Sequence, residues 1–559
     1  MTRPRWVRPL ALALGSVTSA AVPALALAQA QPPSGGQLQQ QLNLPPPPPN
    51  TRNPSLSIQQ PSQALATSTT PIPVRLIRIS GNTLLPTDKL HALVAQAEGQ
   101  TLTLGQLQAL ADRITQYYRA HGYPLARAYV PAQSIADGQV TLAVLEARYG
   151  RIRLEDPGGV ADRPLRQTLS ALQSGAPVEE STLDRTLLLA SDIPGVIVNS
   201  TLRPGTQTGT SDLDVDVGAA PRFTGLLAVD DYGNRYTGAA RGTGSLDVNG
   251  LLNQGDRLAM SLLTSGGGMD YAQLDYRYWL GGEGTVLGLQ ASDLYYHLSG
   301  SLTPLEAHGT AQVDTLFVSQ PLVRTVPGNL YLQVQFDHKG LFDRLDAAQI
   351  DAARHTDTGS IVLAGDRRDD GGITNFNLSF ALANVAFGND AARIADQLGV
   401  RTQGTDEHYG FTLARLQQLD SSDALYVAVT AQAASKNLDP SDQFYLGGPS
   451  NARGYDVGVL TGAQGYLLTG EWRRALPLPA QGSWLASLFV DHGHLQVYKD
   501  PVAPGPNAAT LTDVGAGLHW NGPHQWQLSV QLAAPVGPAS PLLRPSSGAR
   551  AWAQLQKGF

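Results

Sequence analysis

The feature of this sequence that most constrains its fold is a two-residue alternation running through its last 338 residues, Arg222 to Phe559. The stretch 525–532 shows it, with apolar side chains at every second position (Trp526, Leu528, Val530 and Leu532) and polar ones between them (Gln525, Gln527, Ser529 and Gln531). Because successive side chains of a strand point to opposite faces, each such run has one apolar and one polar face. A long series of these runs, without the sequence of an ordinary hydrophobic core, predicts a barrel with lipid outside and water inside.

The alternation predicts sixteen strands between residues 221 and 559. They lie near 222–232, 240–251, 256–265, 270–280, 284–297, 307–320, 328–340, 355–368, 372–387, 406–419, 423–435, 464–476, 484–497, 511–521, 525–534 and 549–559. An even number is expected of a single-chain outer-membrane barrel. Aromatic residues fall within or near strand ends, where such barrels carry aromatic girdles: Trp279, Tyr295, Tyr296, Trp472, Trp484, Trp520, Trp526 and Trp552. A soluble β-sandwich is the alternative, but it fits poorly with so many strands and so polar a second face.

The N-terminus predicts export from the cytoplasm. Arg3, Arg5 and Arg8 precede an Ala/Leu-rich stretch at 10–27, which is followed by Ala-Gln-Ala at 28–30. A charged segment, an apolar segment and a small-residue cleavage site are typical of a signal peptide, here residues 1–30. A membrane anchor is the alternative, but the small, polar and proline residues within the apolar stretch make it a poor spanning helix.

Composition excludes some functions. The chain of 559 residues has no cysteine, so it can form neither disulfides nor thiolate metal sites. Its formal net charge of −7 argues weakly against a nucleic-acid partner. No catalytic constellation or cofactor-binding motif stands out, and His492 and His494, on either side of Gly493, are too few ligands to indicate a metal site.

Between the signal peptide and the strands lie a possible short helix, a linker and two similar units. The helix is predicted at Gln37–Leu44, where Leu38, Leu42 and Leu44 lie loosely on one side and the prolines at 45–49 must end it. Residues 50–73 are rich in Ser, Thr, Gln and Pro, as expected of a mobile linker or a mere spacer. The units, 73–147 and 148–220, each follow the order β-α-α-β-β, and repetition at that period indicates tandem modules.

One segment within the strand region departs from the alternation and carries a resemblance to a known family. Residues 437–460 contain Phe-Tyr-Leu-Gly-Gly-Pro-Ser-Asn-Ala-Arg-Gly-Tyr at 444–455, and the first unit contains Tyr-Tyr-Arg-Ala-His-Gly-Tyr-Pro-Leu-Ala-Arg-Ala-Tyr-Val-Pro at 117–131. With the tandem units, these motifs resemble the TpsB family of two-partner-secretion transporters, the FhaC/ShlB type of the BamA-like superfamily. The resemblance implies two periplasmic POTRA domains, a 16-stranded transmembrane antiparallel β-barrel at 221–559, and a loop at about 437–461 folded into the lumen.

The resemblance also implies a pair of interacting motifs. In that family a Val/Ile-Arg-Gly-Tyr tetrad at the tip of the inward loop, between strands 11 and 12, pairs with a Phe-x-Asp-x-Gly motif on the barrel wall. Here Arg453, Gly454 and Tyr455 match the tetrad, with Ala452 in its first position, and Phe489, Asp491 and Gly493 match the wall motif. A guanidinium and a carboxylate can form two charge-assisted hydrogen bonds, strong enough to hold a loop. The alternative is an unrelated solvated arginine and acid in a wet lumen.

The function that the resemblance implies is export, without ATP, of an unfolded TpsA-type exoprotein, for example a haemolysin or an adhesin. The POTRA domains would capture it, and Gln37–Leu44 matches in position the family's plug helix. Phe559 would end the strand read by the barrel-assembly machinery, although the strand could simply close the barrel. The other partner would be outer-membrane lipid. A BamA-like assembly factor is the second hypothesis and a plain porin the third, but the former usually has more POTRA domains and the latter has none.

Overall fold

The computed structural model describes residues 32–42, 44, 54–59, 69–135, 137–156, 161–478, 481–538, 540–543 and 548–559. The predicted signal peptide, 1–30, lies outside these residues. The part before the barrel contains helices α1 (Gly35–Gln40), α2 (Thr87–Ala92), α3 (Leu104–Ala120), α4 (Asp162–Leu169) and α5 (Glu180–Asp192). Its strands are β1 (Ser55–Ile58), β2 (Ile72–Pro73), β3 (Leu76–Ser80), β4 (Thr101–Leu102), β5 (Arg127–Tyr129), β6 (Gln139–Leu145), β7 (Arg148–Glu155), β8 (Val196–Pro204) and β9 (Thr210–Ala219).

Sixteen strands of the described residues then close into an antiparallel barrel, as predicted. They are β10 (Phe223–Asp230), β11 (Arg241–Asn249), β12 (Asp256–Thr264), β13 (Met269–Leu280), β14 (Thr285–His297), β15 (Ala307–Arg324), β16 (Gly328–Leu345), β17 (Ile350–Asp369), β18 (Gly372–Phe387), β19 (Gly404–Gln418), β20 (Asp423–Ala434), β23 (Gln464–Leu476), β24 (Ser483–Gln496), β25 (Ala508–Asn521), β26 (Trp526–Pro535) and β27 (Arg550–Gly558). Helix α6 (Asp390–Leu398) lies between β18 and β19, and the short strands β21 (Phe444–Leu446) and β22 (Leu460–Gly462) lie between β20 and β23.

The two faces of the barrel differ as the alternation requires. On β10, Leu227 and Val229 are both 58% exposed on the outer surface, whereas Asp230 is 7% exposed within. The same contrast separates exposed Leu289 from buried Ser292 on β14. Polar residues gathered inside and apolar residues outside are the arrangement that a bilayer requires of a barrel wall. Among the described residues, no helix is long and apolar enough to span a bilayer.

The strands β16 and β17 extend furthest beyond their predicted ends. The runs near 328–340 and 355–368 are parts of the strands Gly328–Leu345 and Ile350–Asp369, which remain paired to their tips. In the added segments polar residues occupy both faces, and Arg344 and Asp351 form an ion pair across the hairpin at 2.7 Å. The alternation disappears there because neither face meets lipid, so it could not reveal these strand ends.

The first N-terminal unit packs helices on a three-stranded sheet. Its strands lie in the order β3-β6-β5, and a second small sheet pairs β2 with β4. The long helix α3 begins with a capping box in which Thr103 and Gln106 bond each other's backbone N–H groups. Its side chains Leu107, Ile114 and Tyr118 are fully buried against the sheet. The predicted β-α-α-β-β order is therefore present, with β2 and β4 added.

The second unit has the same order of main elements but an additional strand from the linker. Its sheet has the order β1-β8-β9-β7, and β1 pairs with β8 in parallel register from Ser55 opposite Asn199 to Ile58 opposite Leu202. Gln59 continues the pairing through its backbone N–H to the Leu202 carbonyl at 3.0 Å. Residues 50–73 were expected to form a mobile linker or a mere spacer, but residues 55–58 form an edge strand of the second unit. Residues 55–58, Ser-Leu-Ser-Ile, contain neither proline nor glycine, so their main chain can pair with β8.

The second unit is docked on one end of the barrel. Asp192, at the end of α5, forms two ion-pair contacts with Arg324 of β15 at 2.7 and 2.8 Å. Trp279 of β13 is 6% exposed and belongs to the hydrophobic core of this unit. Trp279 was predicted to lie in a lipid-facing girdle, and that prediction is wrong because its position at the end of its strand meets the unit rather than lipid. The barrel and the second unit therefore share a core.

Candidate functional site

The loop between the eleventh and twelfth barrel strands, residues 435–463, folds into the lumen, and we call it the pore loop. Strands β21 and β22 pair within it as a short hairpin, and residues 452–455 form its tip. Leu446, Ala452 and Leu460 of the pore loop are buried together with Leu467, Leu495 and Leu511 of the wall strands. The inward loop predicted at about 437–461 is thus present in the structure, after the predicted strand.

Arg453 lies against two acidic side chains of the wall. Its Nε donates to Asp491 Oδ2 at 2.8 Å and its Nη2 to Asp491 Oδ1 at 3.1 Å, while its Nη1 donates to Glu471 Oε2 at 2.8 Å. The exposed fractions of these side chains are only 7%, 2% and 6%. Burial of all three excludes the alternative of a solvated arginine. Because the local surroundings are shielded from water, each ion pair is stronger than its equivalent at the surface.

The acidic groups are themselves positioned by the barrel strands. Thr469 of β23 donates to Asp491 Oδ1 at 2.8 Å, and Arg473 donates to Glu471 Oε1 at 2.9 Å. The Arg453 guanidinium lies 3.3 Å from the centre of the Phe489 ring, close enough for a cation–π contact. Sequence reasoning identified Phe489 and Asp491 but missed Glu471. Glu471 lies on β23, two positions after Thr469, so both side chains point into the lumen. This two-residue spacing was the signal in the sequence that could have identified Glu471.

Close packing explains the small residues at the tip and on the wall. A Cβ on Gly454 would lie 2.6 Å from the Cβ of Asp513, and one on Gly493 would lie 2.9 Å from the Leu446 side chain. The backbone of Gly454 does not have a positive φ, so the close approach to Asp513, and not a tight turn, is what requires glycine here. Ala452 has a φ of 50° and is fully buried. The β-branched Val or Ile that occupies its position in the related motif would be strained there.

Tyr455 and Trp552 complete the attachment of the tip. The Tyr455 hydroxyl donates to the carbonyl of Thr512 on β25 at 3.0 Å. Trp552 Nε1 of the last strand donates to the carbonyl of Arg453 at 2.8 Å. Trp552, like Tyr296, was predicted to belong to the aromatic girdles, but both are almost fully buried inside the barrel. Because both residues occupy inward-facing positions of the alternation, they lie in the lumen although they are near strand ends.

The N-terminal helix α1 also lies within the lumen. Its backbone N–H at Gly35 donates to Asp343 Oδ1 at 2.9 Å, and Gln39 donates to Ser292 on β14 at 3.1 Å. Leu38 is 2% exposed and packs on lumen-facing residues that include Leu294 and Tyr296. The helix covers Gly35–Gln40 and begins with a capping box formed by Ser34 and Gln37. The predicted segment Gln37–Leu44 therefore began two residues late and continued beyond the helix.

The helix α1 and the pore loop touch each other. Gln37 donates to Thr461 at 3.1 Å and to Gln443 at 3.3 Å, and the Gln40 side chain donates to the Ser441 carbonyl. A Cβ on Gly36 would lie 2.6 Å from the Cβ of Ser441, so only glycine fits here without movement. These contacts lie away from Arg453. The loop is therefore covered by the helix on one side and joined to the wall on the other.

A second set of buried ion pairs holds the first half of the pore loop. Arg354 of β17 donates to Asp439 of the loop at 2.6 Å and to Asp343 of β16 at 2.6 Å, and Lys339 contacts Asp442 at 2.5 Å. Asp343 is the same residue that accepts from Gly35, and Tyr296 also donates to it at 2.6 Å. One carboxylate thus links the helix, the wall and, through Arg354, the loop. No sequence motif identified this network.

The other candidate residues have structural roles. His492 and His494 contact the hydroxyls of Thr512 and Thr510 at 2.9 and 3.0 Å. No group of three or more potential metal ligands occurs among the residues that the structure describes. The C-terminal Phe559 exchanges backbone hydrogen bonds with Gly225 of β10, each 3.0 Å long. Phe559 therefore takes part in closing the barrel, which is one of the two roles expected for the last strand.

A closed barrel with a polar lumen, an inward loop held by a buried arginine and a docked α/β unit define a class, the transporters of the BamA-like superfamily. Family comparison defines it more narrowly. The family described as haemolysin secretion/activation protein ShlB/FhaC/HecB matches residues 209–519, and the ShlB-type POTRA domain matches residues 72–147. The chain belongs to the ShlB/FhaC/HecB family, which confirms the resemblance inferred from its motifs.

Relatives of similar length support the same assignment. The heme/hemopexin transporter protein HuxB of Haemophilus influenzae (strain 86-028NP) is 28% identical over 80% of this chain and 81% of its own length. The outer membrane transporter CdiB of Escherichia coli O6:K15:H31 is 24% identical over 81% of this chain and 77% of its own. Among solved structures, CdiB from Escherichia coli has a TM-score of 0.69 at 21% identity, covering 89% of this chain and 93% of that one.

The family match establishes the cellular location and the general activity of the protein. It is an outer-membrane transporter of two-partner secretion, with its POTRA domain in the periplasm, and TpsB transporters of this kind act with TpsA exoprotein substrates. A BamA lacking POTRA domains 1–3, from Haemophilus ducreyi, shares the fold with a TM-score of 0.52 at 14% identity. The family match favours a secretion transporter over the second hypothesis, an assembly factor.

Proposed function

We propose that the protein exports one large, unfolded exoprotein through the barrel lumen, and that the pore loop and α1 control the passage. The observation that carries the proposal is the occupancy of the lumen. The pore loop is joined to one wall through Arg453 and α1 lies against another wall through Leu38, so both stand in the path of a polypeptide. A segment that is not paired with the barrel strands through its main chain can be displaced without unfolding the barrel. In this scheme α1 is the plug.

The N-terminal units would capture the exoprotein, and we propose that the second unit is also a POTRA domain. An extended segment can add to an open sheet edge through main-chain hydrogen bonds, which tolerate varied sequences. In the first unit the two edge strands are β3 and β5, and at β5 the adjacent helix lies close enough for Thr115 to accept the N–H of Ala128 at 2.9 Å. In the second unit the linker strand β1 covers β8. The exoprotein would add at β5 and take the place of β1 at β8.

The remaining steps need no nucleotide. Folding of the exoprotein at the cell surface would prevent its return and so provide the driving force. The apolar outer face of the barrel would contact outer-membrane lipid, and the strand that ends in Phe559 would be read by the barrel-assembly machinery during biogenesis. Threading, displacement and folding suffice for the export, which therefore requires no catalytic group or cofactor.

The capture step is tested with a chain that lacks the first unit, residues 73–147. The transporter is purified and used to retain proteins from a periplasmic extract, and the bound proteins are identified by mass spectrometry. We expect one large exported protein to be retained by the full chain and lost from the shortened one. A chain lacking residues 34–44, with both units present, is the control and should retain it. Retention by the shortened chain would place recognition elsewhere.

A further inference from the structure

The barrel closes where its first strand, β10, meets its last, β27, and we call this pairing the seam. The seam register contains five residue pairs, from Leu226 opposite Gly558 to Asp230 opposite Gln554. The neighbouring pairings, β10 with β11 and β26 with β27, contain eight each. Backbone bonds of Asp231 with Ala553 and of Gly225 with Phe559 lengthen the seam at its two ends. Because its register is shorter than those of the two neighbouring pairings, the seam depends more than they do on side-chain contacts.

A single carboxylate of the pore loop bridges the two sides of the seam. Asp456 Oδ2 accepts from Arg235, which follows β10, at 3.1 Å, and Asp456 Oδ1 accepts from Arg550, the first residue of β27, at 2.9 Å. Asp456 itself belongs to neither strand and follows the Arg-Gly-Tyr tip directly. The two arginines would otherwise bring like charges together above the seam. The pore loop therefore supplies the charge that allows both strand ends to approach.

Buried apolar contacts also join the pore loop to both strands of the seam. Tyr232, just beyond β10, Trp552 of β27 and Val457 of the pore loop form one buried cluster. The Tyr232 and Trp552 rings meet edge to face with their centroids 6.2 Å apart, a favourable aromatic geometry. Trp552 also donates its indole N–H to the carbonyl of Arg453. Both sets of contacts join β10, β27 and residues 453–457 of the loop.

We propose that the tip of the pore loop clamps the seam, so that barrel closure and loop position are coupled. Arg453, which joins the tip to the wall, and Asp456, which joins the two strands of the seam, are only three residues apart in the chain. When the Arg453 ion pairs hold the tip in place, Asp456 and Val457 hold the seam closed. When the tip moves, both sets of contacts are lost together and the seam retains only its main-chain bonds. By reciprocity, a loosened seam also loosens the loop.

Hydrogen–deuterium exchange of the full chain in nanodiscs tests the clamp. The variant D456N removes the charge and keeps the volume. We expect exchange in 223–230 and 550–558 to accelerate about three- to tenfold, the effect of losing two partly exposed ion pairs. The control is D351N, which breaks the exposed Arg344–Asp351 pair on another hairpin and should leave the seam at its wild-type rate. Unchanged seam exchange in D456N, or an increase spread over all strands, would overturn the clamp.

A second variant keeps the test decisive if D456N does not assemble. The substitution W552F retains an aromatic ring against Tyr232 but removes the indole N–H that bonds the Arg453 carbonyl. We expect it to accelerate exchange at the seam and also in 450–457, because the coupling acts in both directions. The cysteine-free sequence allows a lock, V229C with L555C, at directly opposed positions of the seam. With the lock, exchange at the seam in W552F should return towards the wild-type rate. If 450–457 accelerates in W552F without the lock while the seam keeps its wild-type rate, the coupling is absent.

Discussion

The lumen holds two segments of chain, the tip of the pore loop and the helix α1, and different forces retain them. The tip is retained by one guanidinium between two carboxylates, all three nearly inaccessible to water. Removing one member of such a group leaves a buried charge without compensation, which costs about 3–5 kcal/mol. The helix has one buried leucine, several neutral amide hydrogen bonds that contribute about 0.5–1.5 kcal/mol each, and a single bond to a charged group, from the Gly35 N–H to Asp343.

The difference indicates which segment leaves first. A helix of six residues is marginal on its own, so α1 is ordered mainly by its surroundings. Its neutral contacts can be exchanged for water at little cost, whereas the charged groups at Arg453 cannot be separated without hydrating all of them. We infer that α1 is the removable element of the channel and that the tip of the pore loop is the retained one.

The largest effect is expected from R453A. This variant leaves Asp491 and Glu471 facing each other without the positive charge between them, so the tip should leave the wall. Export of the exoprotein into the medium, measured by mass spectrometry of the supernatant, should be lost. The barrel strands remain paired by their own hydrogen bonds, so the protein should still enter the outer membrane and show heat-modifiable migration in gels.

The matched control for R453A is R415A. Arg415 pairs with Asp369 at 2.9 Å at the end of the barrel nearer to the N-terminal units, and both side chains are about a third or more exposed. A partly exposed pair contributes only about 0.2–1 kcal/mol, so export should continue. Export at the wild-type level by R453A would remove the tip from the mechanism.

Deleting residues 34–44 should have the next largest effect. The deletion removes α1 and the residues that pack around it, leaving the lumen beside the pore loop filled with water. We expect a strong increase in ion conductance in planar bilayers, with export retained because the Arg453 site is intact. Equal conductance of the deleted and complete chains would show that α1 does not obstruct the channel.

A single substitution in α1 should give an intermediate result. Leu38 is buried among apolar residues of the wall, and burying a leucine contributes about 1.5–3 kcal/mol. The variant L38S should therefore increase the open population about tenfold or more, and the mean conductance should lie between those of the wild type and the deletion. The control L56S changes a leucine of the linker strand that is already 38% exposed, and it should behave as the wild type.

The sequence predicted the barrel well because lipid and water impose a local pattern. Every predicted barrel strand is present, and the largest errors, at the ends of β16 and β17, occur where polar and apolar residues are mixed on both strand faces, so that the alternation is lost. The pair of Arg453 with Asp491 was predicted from two motifs that lie 38 residues apart and meet in space. Neither motif alone would have indicated an ion pair.

The remaining contacts of the site were missed because they depend on registers and on packing. Glu471 lies beside Arg453 only because of the register of β23 with β24. Trp552 contacts the tip from the last strand of the barrel. The strand Ser55–Ile58 adds to β8 by main-chain pairing, which leaves no pattern in the side chains. These contacts join segments that are distant in sequence, and periodicity reports only on the faces of one element.

The smallest effect on the open population of the channel is expected from R354Q, because Arg354 has no direct contact with α1 among the hydrogen bonds and ion pairs of the described residues. Arg354 links Asp439 of the pore loop with Asp343, which in turn accepts the N–H of Gly35. Residues in one such network are coupled by about 0.5–1 kcal/mol or more, so R354Q should raise the open population about two- to fivefold. In the chain lacking 34–44 the same substitution should add nothing, because there is no helix left to release. An equal increase in both backgrounds would mean that R354Q only widens the lumen, and the helix and the loop would then be independent.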